Sequence, residues 1–131
     1  MTPISRKEFH KCFESDEVEG WKEAESTLNR AGNLAWDLHD QFLYKTDLDK
    51  AESDLIQLYE DLDVAYVFVE DKKMASLIKE YRDTVRSYRE IVKNGKWPSY
   101  YRSEKMAVDL WNMESKSKKM KIDTLYDCVF K

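Results

Sequence analysis

The chain has 131 residues, 42% of them hydrophobic and 13% aromatic, which suits one domain with a sizeable core and excludes disorder throughout. Only 3 Gly and 2 Pro stand against 37% charged residues, so turn-rich all-β and α/β folds are excluded and long helices with solvated outer faces are favoured. The net charge of −4 is uneven: residues 1–92 carry 13 Lys+Arg against 21 Asp+Glu (−8), whereas residues 93–131 carry 9 against 5 (+4).

Ser5 and Glu8 form an S-x-x-E capping box, with Ile4 and Phe9 at the positions of a hydrophobic staple. They predict a short helix from about Arg6 to Glu14 whose inner face is Phe9, Cys12 and Phe13. Ser15 offers a second N-cap, followed by Asp16 and Glu17 in a first turn that favours acids. The next helix extends to about Tyr44 on the stripe Val18, Trp21, Glu25, Leu28, Ala31, Ala35, Leu38 and Phe42. Gly20 and Gly32 each weaken it by up to about 1 kcal/mol relative to Ala. Gly32, beside Ala31 and Ala35, suits a close helix approach.

Thr46 or Asp47 caps a third helix carrying Leu48, Ala51, Leu55, Leu58, Leu62, Ala65 and Val69. Their alternating steps of 3 and 4 place them on one helical stripe, where a strand needs a step of 2. The connection is so short that helices two and three must be antiparallel neighbours. Residues 64–69 are apolar on every side, which predicts burial inside the bundle or in a subunit interface. Tyr66, Val67 and Phe68 exceed what one small core can cover, pointing to a homo-oligomer contact.

The stripe loses phase near Glu70–Lys73, where Asp71 can cap a new helix, although without Gly or Pro one continuous helix also fits. The fourth segment carries Met74, Leu77, Ile78, Tyr81, Val85, Tyr88 and Val92, and Asn94-Gly95 stops it. Lys96-Trp97-Pro98 is a loop, and Ser99 can cap a last helical region with a break near Ser115–Lys121. There Met106, Leu110, Met113, Met120, Leu125 and Val129 are spaced for burial. The expected fold is all-α: a single domain over 1–131, an antiparallel bundle of three long helices plus a short N-terminal helix and a C-terminal helical region.

Cys12 and Cys128 lie near opposite ends. The N-terminus lacks the long apolar run of a leader, and no stretch approaches the roughly 20 apolar residues of a membrane span. A cytoplasmic chain off the membrane, with two reduced thiols, is the expectation; a disulfide requires that both ends meet in an oxidising compartment.

Asp37-x-x-Asp40 and Glu60-x-x-Asp63 fall on the two antiparallel helices, where each pair projects two carboxylates to one side and could hold Mg²⁺. The pattern resembles the all-helical nucleotide pyrophosphohydrolases of the MazG type, whose ExxE…ExxD motif lies on a helix hairpin. The run after Asp63 is similar to that family's second motif helix. The resemblance implies Mg²⁺-dependent nucleotide hydrolysis, with Asp37, Asp40, Glu60 and Asp63 as metal ligands. Here the first pair is Asp/Asp where the family has Glu/Glu. His10 and His39 belong to no metal-binding spacing, and no P-loop, nucleophile elbow or C-x-x-C occurs, so no cofactor and no catalytic residue is expected.

The richest surface segment interleaves Lys93, Lys96, Arg102 and Lys105 with Trp97, Tyr100 and Tyr101. Trp, Tyr and Arg dominate protein-interface hot spots, and rings among cations also stack bases while meeting phosphates. Alternatively the rings fold back to cover the bundle end. Arg82, Arg86 and Arg89 form a ridge at helical spacing that suits an acidic partner. The function expected is a non-catalytic protein-interaction or inhibitor module, a role common among bacterial and phage chains of this type. Its binding residues are Lys96, Trp97, Tyr100, Tyr101, Arg102, Arg82, Arg86 and Arg89. The first alternative is nucleic-acid binding through the basic 93–121 region, and the second is the pyrophosphohydrolase.

Overall fold

The computed structural model describes residues 4–130 as five helices. They are α1 (Arg6–Phe13), α2 (Asp16–Tyr44), α3 (Leu48–Phe68), α4 (Lys72–Lys93) and α5 (Tyr101–Val129). Helices α2 to α5 alternate in direction. α2 packs along α5 on one side and α3 on the other, and α3 packs on α4. No helix is long and apolar enough to cross a membrane among the described residues.

Each start is set by a side-chain cap. Ser5, Ser15, Asp47 and Asp71 accept from the backbone N–H groups of Glu8, Val18, Lys50 and Met74. The Asp71 cap decides the ambiguity at residues 70–73 in favour of a turn. Ser99 does not cap the last helix; Tyr100 occupies that position without a side-chain cap. Nor does the last helix break near Ser115–Lys121. Ser117 is fully buried there, and Lys116 and Lys121 bind Asp71 and Glu25 on either side. The C-terminal region is thus one helix of 29 residues, as long as α2.

The predicted stripe of α3 is the middle of the core. Ala51, Leu55, Leu58, Leu62, Ala65 and Val69 are buried and join Leu28, Leu38 and Phe42 of α2, Ile78 and Val85 of α4, and Met106 and Leu110 of α5. Each large aliphatic side chain contributes about 1.5–3 kcal/mol by leaving water. The run over 64–69 departs from expectation: Ala65 and Val69 are buried, but Val67 is 74% exposed and Tyr66 and Val64 also face solvent. Its inner positions follow the stripe, and its outer positions lie on the far side of α3, which no other helix covers.

Gly32 sets the α2–α5 distance. A Cβ there would stand 2.6 Å from Nε1 of Trp111, so the indole lies directly on the glycine. A Cβ at Gly20 meets nothing. Beyond the reach of α3 and α4, α1 packs on the ends of α5 and α2. Cys12 and Cys128 form a disulfide there, with Cα atoms 5.8 Å apart. The expectation of two reduced thiols is therefore corrected. The antiparallel pairing of α2 and α5 carries the chain ends to one place, which spacing along the sequence does not reveal.

The two glycines should respond to alanine with opposite signs. Gly20→Ala should raise stability by up to about 1 kcal/mol through helix propensity. Gly32→Ala should lower it by about 1–3 kcal/mol through overpacking against Trp111, both read by chemical denaturation. Reduction of the Cys12–Cys128 bond, or its replacement by serines, should cost about 2–5 kcal/mol, because the bond closes a loop of 116 residues; denaturation with and without reductant measures it.

Candidate interaction surface

The loop between α4 and α5 begins where Asn94 ends α4 and Gly95 takes φ +77°, a left-handed turn that favours glycine. The turn sends Trp97 back over the bundle end, 6.4 Å edge-on to Phe42, itself 5.3 Å from Tyr88. Trp97 and Tyr100 are half-buried against the core, and Pro98 is buried. Arg102 leans toward α4, 3.7 Å from Glu80. Of the predicted segment, Lys93, Lys96 and Tyr101 remain turned to solvent without a charged partner among the described residues; Tyr101 is 70% exposed and stacked on Tyr100 at 4.6 Å.

Tyr101 ends a longer array. The Tyr100 carbonyl accepts from Nδ1 of buried His39 at 3.0 Å, which leaves the proton on that nitrogen. The Ser103 hydroxyl donates to the same carbonyl at 2.7 Å and so fixes the first turn of α5. The His39 ring lies 5.7 Å from Tyr100 and 5.2 Å from Trp36, and Trp36 lies 5.7 Å from Trp111. Trp111, Trp36, His39, Tyr100 and Tyr101 thus form a continuous ladder along the α2–α5 seam. Such offset and edge contacts between rings are each worth about 0.5–1.5 kcal/mol beyond area burial.

Polar groups hold the ladder in place. Trp111 Nε1 donates to Asn33 at 3.3 Å, Asn33 donates to Asn29, and Asn29 donates to Glu114. Trp36 is 37% exposed, and Leu43, Tyr44 and Val108 are exposed on the same two helices. Asp40 follows Trp36 by one helical turn, and Glu104 follows Tyr101 by three residues, while Arg102 and Lys105, the cations nearest Tyr101, are paired with Glu80 and Asp109. Trp36 and Trp111 carry no local signal of function. They stand 75 residues apart, and only the helix pairing joins them; Gly32, one turn before Trp36, was the available hint.

The arginine ridge divides in two. Arg82 donates to Asp63 at 2.7 Å and lies over the Tyr66 ring. Arg86 instead donates to the neutral Tyr59 hydroxyl at 2.7 Å and lies over its ring, while Arg89 is exposed. With Asp63 held by Arg82, the four acids Asp37, Asp40, Glu60 and Asp63 do not gather. Among the described residues no group of three or more His, Cys, Asp or Glu side chains is arranged to hold a metal ion.

Most cations of the 93–121 region are paired. Lys105 meets Asp109, Lys116 meets Asp71, Lys119 meets Asp123 and Lys121 meets Glu25. In the α4–α5 seam the Tyr81 hydroxyl donates to Asp109 beside Lys105. Burial first, and then that hydrogen bond, pushes the Tyr81 hydroxyl up to about 12. No protein-family model matches this chain, nor does any curated protein or solved structure.

Because the fold holds the Tyr81 proton more tightly than the ordinary value of 10.0, the associated stability is whole below pH 10.0 and is lost as pH rises toward about 12. Tyr81→Phe should therefore flatten the fall of unfolding free energy across that alkaline window, measured by denaturant titrations at stepped pH.

Proposed function

We propose that the protein is a non-catalytic protein-binding module and that it binds through the aromatic ladder of the α2–α5 seam. The observation that carries the proposal is the unbroken run of rings from Trp111 through Trp36 to Tyr101, with both Trp36 and Tyr101 open to solvent. Large rings held on rigid helices bury much area in a complex and lose little rotamer freedom, so they serve as anchors. Trp111 is fixed before any partner arrives, by Gly32 beneath it and Asn33 beside it. An inhibitor would act by laying this face over a partner's own working surface.

The charges support a protein partner over nucleic acid. Asp40 and Glu104 flank the rings and would repel phosphates, and the basic end spends most of its charge on internal ion pairs. The Cys12–Cys128 bond supports an oxidising compartment, in place of the cytoplasm expected from the sequence. The exposed Tyr66 and Val67 favour a second contact, between copies of the chain.

The test is affinity capture from nuclease-treated native extract, followed by titration of the identified protein. Trp36→Ala and Tyr101→Ala should each weaken that complex by about tenfold or more, with helicity retained by circular dichroism. Lys118→Ala, away from the ladder, should leave it unchanged. Equal affinity across all three variants removes the proposal.

A further inference from the structure

The α3–α4 cleft lies apart from the ladder and has a composition of its own. It encloses about 340 Å³, within the range of small-molecule sites. Leu55 and Val85, both buried, and half-buried Ile56 make its apolar lining. Tyr59, Arg86 and Arg89 supply polar groups, and Glu60 is the one acid in the lining.

The state of the two guanidinium groups is informative. One turn earlier, Arg82 is neutralised by Asp63 at 2.7 Å. Arg86 donates to an uncharged phenol and lies 5.5 Å over its ring, so it is held in place with its charge uncompensated. Arg89, three residues on and so on the same side of α4, makes no ion pair among the described residues. Glu60 makes none either and sits within the same cleft. Two cations and one acid leave a single positive charge beside an apolar lining.

We propose that this cleft binds an organic carboxylate with a compact apolar body. Its carboxylate would lie between Arg86 and Arg89, whose planar N–H donors match carboxylate geometry, and its apolar part would cover Leu55, Ile56 and Val85. A monoanion matches the net charge of the site; a phosphate dianion would meet Glu60 without a third cation. The proposal stands independently of the partner surface on α2 and α5.

Phenylacetate, phenylacetamide and phenyl phosphate are the probes, titrated calorimetrically and by amide NMR shifts into the intact disulfide-bonded protein. Phenylacetate should bind saturably and shift α3 and α4 amides, and phenylacetamide should bind about tenfold more weakly or worse. Arg89→Gln, at an exposed position with no structural partner, should weaken phenylacetate by a similar factor, and Arg86→Gln likewise. Trp36→Ala should leave phenylacetate binding intact, which separates failure here from failure of the ladder. The proposal is overturned by absence of saturable binding, by amide and acid binding equally, by wild-type affinity in Arg89→Gln, or by phenyl phosphate binding more tightly than phenylacetate.

Discussion

The close approach of α2 and α5 is the constraint from which the rest follows. Gly32 lets the Trp111 indole lie against the α2 backbone, and small buried residues (Ala24, Ala31, Ala35, Ser103, Ala107 and Ser117) line the same two helices. Small side chains bring helix axes together, and the close approach is direct at Gly32. It joins Trp36 to Trp111 at its middle and His39 to the Tyr100 carbonyl at one end, and beyond its other end the Cys12–Cys128 bond ties α1 to α5. A wider seam would separate the rings and strand His39 without its acceptor.

The α4–α5 seam is built on the opposite principle. Long polar side chains bridge it: the Tyr81 hydroxyl donates to Asp109 and accepts from Lys105, Arg102 lies near Glu80 and Lys116 binds Asp71. Exposed ion pairs of this kind contribute little stability, about 0–1 kcal/mol each. Their larger effect is on what remains free. Once they are satisfied, most described cations of the basic C-terminal half are paired, and Arg86 and Arg89 stand among the α4 cations that make no ion pair among the described residues. The bundle is therefore held by apolar burial around α3, while its charges decide which surfaces are available.

Several buried hydroxyls sit outside this economy. Thr27 and Ser117, on α2 and α5, are fully buried and lack protein partners. Each is small enough to pass in a seam that needs small residues, and each carries a desolvation cost that an alanine would not.

Period, capping and composition determined much of this protein without any tertiary information. The 3-and-4 stepping of Leu48 to Val69, the caps Ser5, Ser15, Asp47 and Asp71, and the Asn94-Gly95 stop are local, since each depends on residues within one helical turn or along one helix face. Tertiary structure decided the site. Trp97 and Tyr100 read as surface anchors from composition, yet the Gly95 turn folds them onto Phe42 and His39. The ladder, the cleft beside Tyr59 and the Cys12–Cys128 bond all join residues far apart in the chain. Which distant residues meet depends on how whole helices pack, and Gly32 was the one local sign that α2 expected a close neighbour.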